Sequence, residues 1–178
     1  MPKKKSFAAA LNEQISNEFA ASQQYVAAAV YYDAETLPRL AAFFYRQALE
    51  EREHAMIMIR YLLDVGEEVQ IPDIKSVPTT YADGSEPVKM ALEQEKRVSQ
   101  EIFSLFELAR ELKDYRAEQF LQWFVKEQVE EVALMGDLLN VVERSRDNLL
   151  LAEDFIAREK MGEEGSDRTA PPAADEAN

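Results

Sequence analysis

The single histidine of the chain, His54, stands at the end of the run E-E-R-E-H, three residues after Glu51. Helical residues three apart share a face, so this carboxylate and imidazole can grip one cation together. An E-x-x-H pair alone is a weak signal in a chain rich in glutamate. Its surroundings strengthen it. Phe44, Ala48, Glu51, Ala55, Met58 and Leu62 follow the spacing of an interior helix face, which sets Glu51 among core residues. Three other segments repeat the pattern. Glu18 falls in the stripe of Leu11, Ile15, Ser22, Tyr25 and Ala29, and Glu95 in that of Val88, Leu92, Val98 and Ile102. Glu127, Gln128 and Glu131 lie between Phe124 and Met135. A carboxylate taken into a core costs on the order of several kcal/mol unless a cation pairs with it. The chain offers no matching set of interior Lys or Arg, so a pair of metal ions is the economical partner. Without cysteine the ligands must be oxygen and nitrogen, which suits iron or manganese and also accommodates zinc. Two metals bridged by a carboxylate, with Glu51 best placed, permit two-electron chemistry with dioxygen, which favours iron.

Such acids act together only if helices bring them to one level. The 178 residues contain only five Gly and seven Pro, and Ala, Leu, Glu, Gln, Lys and Arg fill long stretches, so an all-α fold is predicted. The apolar rhythm places a first helix at about Phe7 to Glu35, with Leu11, Ile15, Phe19, Val26 and Ala29 near one face, and a second at about Pro38 to Val65. Residues 67–86 hold two prolines and a D-G pair and no helical stripe, so they read as a long connection. Helices from about Pro87 to Leu112 and Tyr115 to Ser145 follow, joined by a short K-D turn. Short joins make antiparallel neighbours, so the plan is helix pair, crossover, helix pair: a four-helix bundle of the ferritin-like kind. Glu18 lies 19 residues before the turn at Leu37 and His54 lies 17 after it, while Glu95 and Glu131 each lie 18 from the turn at Lys113. Glu51 lies one turn nearer its turn than His54, so within each antiparallel pair the depths agree to within about a turn. A short apolar segment at 149–159 reads as a fifth, docking helix. The expected division is a bundle domain over 1–161 and a disordered acidic tail over 162–178.

A net charge of −14 argues against nucleic-acid binding through the body of the protein and suits a cation handler. No run reaches the ~20 apolar residues of a membrane span, and no signal-peptide core follows the start M-P-K-K-K-S-F, so a cytoplasmic location is expected.

The segments N-E-F-A-A-S-Q-Q-Y (17–25), E-E-R-E-H (50–54) and F-L-Q-W-F-V-K-E-Q-V-E-E (120–131) together resemble the ferritin family, over about Phe7 to Glu159. The resemblance is to its bacterial non-haem branch. It implies a ferroxidase, oxidising Fe(II) with dioxygen or hydrogen peroxide and depositing ferric mineral inside a homo-oligomeric shell of twenty-four subunits. It implies a first iron site from Glu18, Glu51 and His54, and a second from Glu51, Glu95 and Glu131 with Gln128 beside it. An adjacent third site matches Glu50, Glu127 and Glu130. Tyr25 matches a tyrosine beside the di-iron centre, Trp123 a nearby tryptophan, and Glu118 a position near the threefold pores. Bacterioferritins carry a second Glu-x-x-His on the fourth helix, where this chain has no histidine after Gln128, and a haem-ligating methionine on the second, where it has Arg52; no haem is expected. Met56 and Met58 read as fillers of the helix face. A DNA-protecting mini-ferritin, suggested by Lys3, Lys4 and Lys5, would place its iron between subunits. A stand-alone di-metal oxidase or catalase would retain no iron core.

Overall fold

In the computed structural model, residues 6–71, 73, 74, 76–162, 167 and 169–175 are described. The lysines at positions 3 to 5 lie outside them. Among the described residues there are five helices and no strand: α1 (Phe7–Ala34), α2 (Pro38–Asp64), α3 (Glu86–Leu112), α4 (Tyr115–Arg144) and α5 (Leu150–Glu159). Each bound falls within a residue of the one expected. α1 packs on α2 and α3 on α4, with α1 beside α3 and α5 against α2.

Local chemistry sets the starts and turns. Ser6 Oγ caps α1 by accepting from Ala9 N–H at 3.2 Å. Lys113, at φ 58°, turns the chain through the left-handed region, and Asp114 then caps α4 through Ala117 N–H at 3.2 Å. α2 has Pro38 in its first turn and no side-chain cap of its own. Its cap comes from α5: the buried Glu153 carboxylate accepts from Arg39 N–H at 2.9 Å and Leu40 N–H at 2.8 Å. A cap contributes about 1 kcal/mol, and this one also fixes where the fifth helix docks. The crossover is pinned along α1 by Asn12, whose Nδ2 donates to Glu68 O at 2.9 Å and whose Oδ1 accepts from Gln70 N–H at 2.8 Å.

The apolar core divides in two. One cluster holds Leu11 and Ile15 of α1, Ala55 to Leu62 of α2, Val98 to Ala109 of α3 and Ala117 to Phe124 of α4. The other holds Tyr25 to Tyr32, Leu40 to Ala48, Val88 and Ala91, and Met135 to Val142. On every bundle helix the break falls at the acidic position: Glu18, Glu51, Glu95 and Glu131. Val26, expected near the core face, is instead exposed, because the face of α1 that turns inward runs through Ala21, Tyr25 and Ala28.

The tail expected to be disordered lies, at residues 167 and 169–175, against α2 and α4. Ala173 is buried in the first core cluster, Ala174 N–H donates to Met56 O at 3.1 Å, and Arg52 pairs with Asp175 at 2.8 Å. A composition rich in small and acidic residues gives no sign of these partners, since a niche the size of alanine and two cationic side chains exist only once the helices have packed.

Candidate metal centre

The polar layer between the two cores is built from side chains one helical turn apart on each element. Glu18, Glu51 and His54 come together with one ligand atom from each within 4.8 Å of the others, and all three are buried. Their oxygens are unequally engaged. Gln14 Nε2 donates to Glu18 Oε1 at 2.8 Å, while Glu18 Oε2 and both oxygens of Glu51 have no hydrogen-bond donor. Burial, then the Glu51 charge, hold the Glu18 carboxyl well above its ordinary range; burial, then Glu95, do the same to Glu51. Free carboxylate oxygens turned toward one another in a dry core stay neutral by holding protons, or stay charged by holding a cation.

On the other helix pair Glu95 is occupied. Glu95 Oε1 accepts from the Tyr25 hydroxyl and Oε2 from Gln128 Nε2 at 3.4 Å, and Ser99 Oγ lies 2.9 Å from Gln128 Oε1. Burial raises the Glu95 carboxyl while the bonds from Tyr25 and Gln128 draw it back. Burial and the surrounding Glu50, Glu95 and Glu51 charges push Glu131 well up, and its Oε2 has no donor. Glu51, Glu95 and Glu131 influence one another electrostatically, but among the described residues they are not drawn to the spacing of the first trio. Tyr25 is fully buried, its phenol pushed up by burial and by Glu95.

Beside the first trio, Glu50 and Glu127 approach His54 to within the same 4.8 Å. This cluster differs from the expected Glu50, Glu127 and Glu130. Glu130 is on the exposed face of α4, where the ammonium of Lys126, one turn away, draws it to 3.4 Å. This second cluster lines a pocket of about 710 Å³ between α2 and α4, together with Glu53, Glu130, Glu131 and Lys126, and the first trio reaches it through His54. Trp123 stands at its wall, edge-on to the His54 ring at 5.6 Å, and its Nε1 donates to Asp167 at 3.1 Å. Glu118 lies apart, paired with Arg110 at 3.4 Å beside a second pocket.

Gln14, Gln47 and Ser99 join the layer without having been expected. Gln47 Nε2 donates to Glu50 at 2.6 Å. Each stands four residues from an acid on the same buried face, a polar residue inside an apolar stripe, and that spacing is the signal that finds them.

The sequence profile of the Ferritin family, described as a ferritin-like domain, matches residues 8–145. The chain belongs to the ferritin family. Among this ferritin's relatives is Ferritin BfrB of Mycolicibacterium smegmatis, 49% identical over 168 residues, covering 94% of this chain and 92% of that one. A bacterial non-heme ferritin of Staphylococcus epidermidis is 37% identical over 90% of this chain and 98% of its own. Among solved structures, an open pore ferritin of Archaeoglobus fulgidus superimposes with a TM-score of 0.84 at 26% identity, over 92% of this chain and 99% of that one. No described helix of this ferritin is long and apolar enough to cross a membrane.

Proposed function

We propose that this ferritin stores and detoxifies iron in the cytoplasm, oxidising Fe(II) at an intra-subunit di-iron ferroxidase centre within a homo-oligomeric shell. The observation that carries the reading is the Glu18, Glu51 and His54 trio, set where the apolar core breaks on all four helices, with three carboxylate oxygens free of any donor. Iron is substrate and cargo here. His54 and Glu18 hold the first Fe(II), and Glu51, between them and Glu95, reaches toward both ions. Glu95 and Glu131 take the second, with Gln128 beside it, once Glu95 exchanges a bond from Tyr25 or Gln128 for the cation. Two Fe(II) give one electron each to dioxygen, which takes two protons and leaves as hydrogen peroxide; hydrogen peroxide as oxidant takes two electrons and two protons and leaves as water. Tyr25, donating to Glu95, stands where it can supply a hydrogen bond or an electron.

Ferric product leaves through the acidic pocket between α2 and α4, where Glu50, His54 and Glu127 form a third station and Glu130 lines the way. No haem is part of the reading: Arg52 is half-exposed and paired with Asp175. The test joins size exclusion, which reads the shell, to aerobic addition of Fe(II) with ferric absorbance followed for the wild type and Glu51→Ala. Oxidation and retention by the variant at the wild-type rate would sink the reading.

A further inference from the structure

On the α1 and α3 side of the layer, away from the pocket, a run of amides meets the carboxylates. Gln14 is 3% exposed and lies one turn before Glu18. A carboxylate that holds a cation is ionised and can only accept, so in the loaded site the 2.8 Å contact with Glu18 Oε1 is made by Gln14 Nε2, which sets the orientation of the amide. Its Oε1 then faces Asn17, whose Nδ2 approaches at 3.4 Å and donates to Glu101 Oε2 on α3 at 3.0 Å. Carboxylates at both ends therefore set the direction of the run, from Asn17 outward to Glu101 and inward through Gln14 to Glu18. An amide that accepts at oxygen and donates at nitrogen is polarised into a stronger donor.

The two oxygens of Glu18 are thereby made different. We propose that Gln14 is a positioning residue that occupies Oε1 of Glu18, so that this carboxylate offers only Oε2 to the first cation of the Glu18, Glu51 and His54 site. Glu51 meets only its own partners in the site, Glu18 and, 3.8 Å from Oε2, His54 Nδ1, and no amide occupies either oxygen, so it is placed to bridge. Holding Glu18 to one-oxygen coordination keeps a position on the first ion open, which an ion that must meet an oxidant requires. The partner of a ligand typically alters metal affinity by about 10- to 100-fold.

The inference rests on the ferroxidase reading and is tested separately from it with Co(II), a redox-stable probe with a visible spectrum, added to the cation-free full-length protein. Two variants remove the donor: Gln14→Met, which keeps length, and Gln14→Asn, whose amide is a methylene too short to reach. Both are expected to bind cobalt about tenfold more weakly. Both are also expected to show a weaker and shifted visible band, as Glu18 rotates to coordinate through both oxygens. A role confined to packing would lower the melting temperature and leave the band of bound cobalt alone. Bands from either variant that superimpose on the wild type overturn the proposal. Failure of the wild type to bind cobalt, or binding unchanged by Glu51→Ala, overturns the site reading instead, so the two failures are told apart.

Discussion

The helix pair α1 and α2 and the helix pair α3 and α4 bring acids to the same level of one bundle, yet they hold them in opposite ways. On the first pair the oxygens that face the centre are free, and an imidazole stands beside them. On the second pair Glu95 is bonded at both oxygens, to Tyr25 and Gln128, while the buried Oε2 of Glu131 has no donor. A buried carboxylate with hydrogen bonds has its desolvation partly offset, while one without them waits for a proton or a cation. On the proposed function the first half takes a cation directly and the second takes one by exchange. The ions should load in that order, the first more tightly.

The largest expected effect is at the residue both halves share. Glu51→Ala is expected to slow Fe(II) oxidation by more than ~100-fold and to abolish two-ion loading under anaerobic titration. Retention of two ions per subunit would break the comparison at its centre. Tyr25→Phe releases one oxygen of Glu95 and removes a buried donor. Stopped-flow ferric absorbance is expected to show a loss of roughly tenfold in oxidation rate, with the first ion bound as tightly as in the wild type. Weakening of the first ion instead would mean the halves are not separable.

Proton linkage distinguishes the halves more finely. Glu18 and Glu51 sit well above the ordinary carboxylate range through burial, while the bonds from Tyr25 and Gln128 draw Glu95 back. A raised folded-state pKa means that the folded protein holds protons the unfolded chain has lost. That contribution to stability is present in full below the ordinary value of about 4.5 and is lost as pH rises through the raised values. With chelator present, the melting temperature is expected to fall as pH rises above the ordinary carboxylate value, and Glu18→Gln to flatten the slope more than Glu95→Gln. Equal flattening would erase the distinction.

Much of this was legible beforehand, because the acids interrupt stripes whose period is that of the helix. Equal depth followed from counting out from the turns at Leu37 and Lys113, and the two core clusters part at those residues. Engagement of the oxygens was not legible. Whether Glu95 is bonded to Tyr25 and Glu18 to Gln14 depends on rotamers chosen in the packed interior. Val26 was misplaced because α1, rich in alanine, has no sharp apolar edge. Glu130, grouped with Glu50 and Glu127 by resemblance, lines the same pocket but lies on the exposed face of α4, 3.4 Å from Lys126.

The smallest expected effect lies where the tail touches the first half. Trp123 packs edge-on against His54 and donates its indole N–H to Asp167, which two bonds from Thr169 and the nearby Lys126 hold well below the usual carboxylate range. Asp167→Ala removes the acceptor without touching a ligand. The Trp123 emission, from the sole tryptophan, is expected to shift while the oxidation rate changes by less than about twofold, since exposed polar contacts contribute little. A larger change confined to the first ion would show that the indole helps to orient His54, extending the α1 and α2 half of the site to the chain's C-terminal segment. A change in the second ion alone would contradict the division between the halves.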